Sequence, residues 1–208
     1  MDILPGDITD YLLHITPERD SVLESMERYA REQAFPIIGP LVGRTLYLLS
    51  RILQAKSILE LGSGFGYSAY WFGKAVGRDA EITCTDGSAE NAERAQEYFR
   101  QGKIHQKIRF LIGDALTLID EVGGQFDIIF NDIDKHQYPS ALRKALPRLR
   151  KGGLFISDNV LWSGKILDRL PDADTTGILT FNRMIYSSHE LFTTILPIRD
   201  GVSVSLKL

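Results

Sequence analysis

Ser57-Ile-Leu-Glu-Leu-Gly-Ser-Gly-Phe-Gly66 is the stretch from which the fold can be read. Residues 57–61 form an apolar run of strand length, too short for a helix and closed by glycines. Residues 67–76 then resume a helical pattern, so the quoted stretch is a strand, a glycine-rich turn and a helix start. Glycines in such a turn let the backbone approach a ligand closely, and ligands of open α/β sheets bind just beyond the carboxyl ends of the strands. The spacing is Gly-x-Gly-x-Gly, unlike the Gly-x-Gly-x-x-Gly of dinucleotide binders.

Outward from this unit the pattern repeats. Further strands are expected at 81–86, 108–112, 126–131 and 153–157. A polar helix is expected at 89–101 and an amphipathic segment at 138–150. Strands alternating with helices imply a parallel sheet covered on both faces. The end differs: runs at 192–196 and 202–206 flank Asp200-Gly201, a type I′ hairpin signal that predicts two antiparallel neighbours. Upstream, residues 21–29 read as a helix with Ser21 and Glu24 as a capping box. Pro36 and Pro40 interrupt, and residues 41–53 are helical again. The whole reads as one unit over 1–208, with N-terminal helices over 1–55 and a ligand-binding core over 56–208.

Composition narrows the class. The charge balance is 24 basic against 27 acidic residues, net −3, which does not favour a general grip on polyanions. Cys84 is the only cysteine, so no intrachain disulfide forms, in keeping with a cytoplasmic setting. The first ten residues lack the basic start and apolar run of a secretion signal, and no stretch approaches the roughly 20 apolar residues of a membrane span.

Two constellations carry chemistry. The first is the loop Gly62, Ser63 and Gly64 after Glu60, followed by Asp86 and Gly87 at the end of the second strand. A carboxylate there can accept hydrogen bonds from both hydroxyls of a ribose. Asp114 and Ala115 follow the third strand; Asp114 is placed to reach an adenine amino group or to cap the next helix, roles that can coexist. In the second constellation, Asp132 runs off the fourth strand, and Asp158 with Asn159 off the fifth. Two carboxylates and an amide oxygen are hard ligands suited to magnesium or manganese. Lys135, three residues after Asp132, is the candidate base for a hydroxyl proton. Trp162 either walls a flat substrate or packs. His136 reads as a solvated loop residue, and the four histidines lack zinc-site spacing.

At these residues the chain resembles the metal-dependent O-methyltransferases that include the catechol and caffeoyl-CoA enzymes. The resemblance runs from about Leu41 to the C-terminus. It rests on Ile58-Leu-Glu-Leu-Gly62, Gly66-Tyr-Ser-Ala69, Gly113-Asp-Ala115, Asp132 with Lys135 and Tyr138, Asp158-Asn-Val-Leu-Trp162, Phe181-Asn182, and Leu196-Pro197 before Asp200-Gly201. It implies a Rossmann-like, seven-stranded, mostly parallel sheet whose last strand is antiparallel, with helices on both faces. It implies S-adenosylmethionine contacts at Val42, Glu60, Ser68, Asp86, Ala115 and Asp132, a divalent cation at Asp132, Asp158 and Asn159, and Lys135 as base. The expected reaction is methyl transfer to a metal-held hydroxyl of a small phenolic, catechol-like acceptor, by a homodimer. The departures are Asp86 where the family usually has Glu, Asn131 where it has an aliphatic residue, and no late substrate-holding acid in 191–197. Similar small bacterial proteins methylate a hydroxylated uridine in tRNA, which is the alternative within this chemistry. A nicotinamide dehydrogenase is the alternative outside it.

Overall fold

The computed structural model describes residues 3–208. Seven strands form one sheet in the order β3-β2-β1-β4-β5-β7-β6. They are β1 (Ser57–Leu61), β2 (Glu81–Asp86), β3 (Lys107–Ile112), β4 (Phe126–Asn131), β5 (Leu149–Ser157), β6 (Leu191–Leu196) and β7 (Val202–Lys207). The first five pair parallel to their neighbours, and β7 runs antiparallel to both β5 and β6. The mostly parallel sheet with one antiparallel strand is the architecture the resemblance implied. β1 lies near the centre, and Ile58, Leu59 and Leu61 are fully buried. Burying such side chains contributes roughly 1.5–3 kcal/mol each, so this largely apolar run is stable as an interior strand even with Glu60 within it.

The helices α1 (Gly6–Ile15), α2 (Ser21–Glu32), α3 (Gly39–Leu53), α4 (Tyr67–Ala75), α5 (Ala89–Gln101), α6 (Ala115–Glu121), α7 (Tyr138–Ala145) and α8 (Ala173–Ser187) cover the sheet. Two apolar cores result. One packs Leu23, Val42, Leu46, Trp71 and Phe99 against Ile58, Ile82 and Ile128; the other packs Ile119, Leu142, Phe181 and Ile185 against Leu59, Ile129 and Phe155.

Four details differ from the sequence reading. The α2 cap is Asp20, whose carboxylate accepts from Val22 N and Leu23 N, because it stands one residue ahead of Ser21. The 138–150 segment is not one helix: α7 stops at Ala145, Pro147 lies in a 3-10 turn, and Leu149 already pairs with Phe126. The β6–β7 connection is not a type I′ turn on Asp200-Gly201. Positive φ falls on Arg199 (52°) and Gly201 (84°), and Gly201 N donates to Ile198 O at 2.9 Å. Finally, α1 and α8 were not individually anticipated, and α6 only as the helix that Asp114 caps.

Candidate active site

The register builds the site. Leu61 pairs with Asn131, and Asn131 with Ser157, so β1, β4 and β5 end side by side. The hydrogen bonding continues one residue further, with Asp132 N donating to Leu61 O (2.9 Å) and Asp158 N to Asn131 O (3.2 Å). The two acids therefore leave the sheet as neighbours. Gly62, at φ 81°, lies against the Asp132 carbonyl, where an added Cβ would stand 2.5 Å from that oxygen. Only a glycine lets the first loop and the acidic loop approach this closely.

A cavity of about 670 Å³ opens above these strand ends. Its wall includes Gly62, Ser63, Gly64, Ser68, Asp86, Gly87, Asp114, Ala115, Asp132, Lys135 and Asn159. The structure thus gathers most of the anticipated residues around one space. Three of them lie off its surface: Val42 is packed inside the first core, and Glu60 and Asp158 are fully buried.

On the glycine-loop side, Asp86 is already engaged. Its Oδ2 accepts from Gly64 N (2.9 Å), and its Oδ1 from Ser88 N and Asn91 Nδ2 (2.9 Å each). A carboxylate offers about four acceptor positions, so this one orders the loop and keeps capacity for a ligand. Asp114 caps α6, accepting from Thr117 N at 2.8 Å, while still lining the cavity. Glu60 accepts a short hydrogen bond from Ser68, and its Oε2 has no partner. Burial pushes its carboxyl up to about 7, with Ser68 and Ser63 pulling against the rise.

On the acidic side, Lys135 Nζ donates to Asp132 Oδ1 (2.8 Å) and to Ile133 O (3.1 Å). It also lies 5.2 Å from the Tyr138 ring centre and 5.8 Å from that of Trp162. Gly177 of α8 makes room for this segment; a Cβ there would stand 2.5 Å from Lys135 O. The Tyr138 hydroxyl donates to Asp158 O (2.9 Å). Burial, then the charge of Asp132, push the Asp158 carboxyl up, against Arg199 and the Asn159 amide. Desolvation also raises Asp132, against Lys135 and Arg199.

Among the described residues no group of three His, Cys, Asp or Glu side chains is arranged to hold a metal. The set here is two carboxylates and an amide, and it fits a divalent cation on other grounds. The acids repel, Asp158 Oδ1 is buried without a partner, and Asn159 Nδ2 is taken by Asp200 at 3.3 Å, leaving its amide oxygen.

Sequence reasoning missed part of the wall. Phe35, Pro36, Ile37, Tyr67, Asp174 and Arg199 line the cavity. Pro36 had read only as an interruption, and Arg199 carries no motif. Trp162 also lines it, with its Nε1 unpartnered. His136 is an exposed residue bonded to Asp174, its Nδ1 at 3.1 Å from Oδ1.

A model of the O-methyltransferase family matches residues 16–208. A catechol O-methyltransferase from Niastella koreensis is 30% identical over 211 residues, covering 96% of each chain. A methyltransferase from Geobacter sulfurreducens shares the fold with a TM-score of 0.85 at 29% identity, over 99% of this chain and 97% of that one. An O-methyltransferase from Bacillus cereus, solved in complex with S-adenosylhomocysteine, gives 0.88 at 25% identity over 97% of each. These likenesses leave no place for the dehydrogenase reading, and the chain belongs to the O-methyltransferase family.

Proposed function

We propose that this chain transfers the methyl group of S-adenosylmethionine to a hydroxyl of a small aromatic, catechol-like acceptor, with Lys135 as the base. The observation that carries the reading is the placement of Lys135 Nζ, 2.8 Å from Asp132, in the same cavity as the glycine loop and Asp86. One side of that cavity offers ribose acceptors and the other a proton acceptor.

S-adenosylmethionine supplies a methyl carbon made electrophilic by its sulfonium centre. With it bound, Asp86 would accept from the ribose hydroxyls and Asp114 and Ala115 would flank the adenine, while Ser68 with Glu60 steadies the loop. A magnesium or manganese ion held by Asp132, Asp158 and Asn159 would add positive charge favouring the ionised form of the acceptor hydroxyl. Lys135 receives the proton of that hydroxyl at Nζ. Asp132 orients the amine, and the rings of Tyr138 and Trp162 confine it. A phenolic hydroxyl has an ordinary pKa of about 10, so both the base and the added charge are needed near neutrality.

We read residues 1–208 as one catalytic unit acting in the cytoplasm as a homodimer. Exposed apolar side chains on α1 and α3, among them Tyr11, Ile15, Leu48 and Ile52, support pairing of two copies. No helix among the described residues is long and apolar enough to cross a membrane. The test is a screen of phenolic and hydroxyuridine acceptors with labelled S-adenosylmethionine, with and without chelator. Chelator-sensitive labelling of catechol-type phenols is expected. Labelling of hydroxyuridine alone would replace the acceptor, and no labelling of any hydroxyl would refute the reading.

A further inference from the structure

Arg199 occupies a position whose backbone would suit glycine better. Its φ is 52°, a conformation that L side chains adopt rarely, and such outliers point to a use for the side chain. The turn presenting it is tied to the acidic loop. Asp200 accepts from Ser163 N and from Asn159 Nδ2, and its carbonyl accepts from Leu161 N at 3.0 Å. Gly201 O accepts from Val160 N at 3.0 Å. The backbone that carries the Arg199 side chain is therefore anchored beside the site.

Its surroundings define what it could bind. Arg199 lines the main cavity and also a second one of about 340 Å³, and Phe35, Pro36 and Ile37 are shared by both. The second cavity carries Arg31, which has no ion pair among the described residues. Its one acid, Glu27, is already engaged by Arg19 (2.8 Å) and by the Tyr67 hydroxyl (2.9 Å). Of the Arg199 donors only Nη1 is engaged, on Asp158 Oδ2 at 3.3 Å, and the side chain is 43% exposed. Two guanidiniums with donors to spare thus face a mainly apolar recess next to the proposed proton acceptor. A planar guanidinium fork matches a carboxylate with two parallel hydrogen bonds.

We propose that Arg199 is the specificity residue for the acceptor, recognising a carboxylate attached to the phenolic ring. The ring then lies toward Lys135 and Trp162, and the acid group toward the second cavity. This rests on the acceptor reading above, and the experiment separates the two. Binding of 3,4-dihydroxybenzoate and of its methyl ester would be measured calorimetrically with S-adenosylhomocysteine and saturating magnesium present. Caffeate and its methyl ester would serve as a longer pair. The parent protein should bind the acid of at least one pair about tenfold to a hundredfold more tightly than its ester, the range of one charged hydrogen-bonding site. Arg199→Gly suits the positive φ and removes the donors. It should bring acid and ester within about twofold, with ester affinity retained, and Arg199→Lys should keep an intermediate preference. Equal binding of acid and ester by the parent, or an unchanged preference in Arg199→Gly, would overturn the proposal. An acid preference lost in Arg199→Gly, without methylation of either compound, would support the arginine's role while counting against phenolic methyl transfer.

Discussion

Strand β4 begins and ends beside an aspartate, and the two are opposites. Asp127, near its start, accepts from Lys56 N (2.7 Å) and Ser57 N (2.9 Å), and forms a short ion pair with Arg150. Partial burial pushes its carboxyl up, but Arg150 and the two amides outweigh that, and the net shift is downward from 3.8. Asp132, just past the end, has Lys135 as its partner and the buried Asp158 as a like-charged neighbour, and both acids are raised. The first acid joins three strands; the second sits where charge is costly and reactive groups converge. Perturbed acids that crowd together in a cleft mark function more often than support. The contrast gives the two ends of one strand different experimental signatures.

The largest expected effect lies at the crowded end. Chelation should abolish methyl transfer. Asp158→Asn should lower turnover by about 10²-fold, with partial recovery at high magnesium, because one hard ligand is weakened. In chelator at pH 8 the same variant should melt on the order of 2–4 °C higher, since a buried like-charge contact is removed. Loss of activity together with loss of stability would make Asp158 a support like Asp127. Next is Asp86→Ala, expected to weaken S-adenosylhomocysteine binding roughly tenfold to a hundredfold in a calorimetric titration. Unchanged affinity would remove Asp86 from the cofactor pocket.

Smaller effects belong to the other end. Asp127→Ala should cost about 2 kcal/mol in urea unfolding, discounted because Arg150 is partly exposed. Turnover of the remaining folded enzyme should be unchanged; a loss there would mean that the two ends are coupled. The smallest signal is in pH. Because the folded-state value of Asp127 is lowered, its stabilisation is present above the unfolded value near 4 and is lost as pH falls through the folded value. The stability gap between parent and Asp127→Asn should therefore hold from about pH 5 to 7 and shrink as pH falls below about 4. A gap constant down to pH 2 would contradict the assignment.

Legibility in the sequence followed the same division. The Ser57–Leu61 run and its glycines could be read because burial on both faces favours apolar residues, here Ile58, Leu59 and Leu61. Asp132, Asp158 and Asn159 could be placed at the sheet edge because they come within two residues of the ends of readable strands. Helix α8 could not: its threonines and glycine mask a period that appears only when Ile178, Phe181 and Ile185 are seen packed against the second core. The start of β5 was hidden inside an amphipathic stretch, since pairing with Phe126 overrode the helical pattern after Pro147. Arg199 and the Phe35–Pro36–Ile37 wall belong to the site only through tertiary approach, which no local spacing encodes.

The central claim is that Lys135 takes the proton of the acceptor hydroxyl. It is tested most directly by single-turnover methyl transfer from labelled S-adenosylmethionine, comparing Lys135→Ala with the parent from pH 6 to 9 on any accepted phenol. The account predicts a rate lower by about 10²–10⁴ in the variant at neutral pH, with S-adenosylhomocysteine affinity unchanged. The gap should narrow as rising pH ionises the phenol without the base. Full turnover by Lys135→Ala across that range would contradict it.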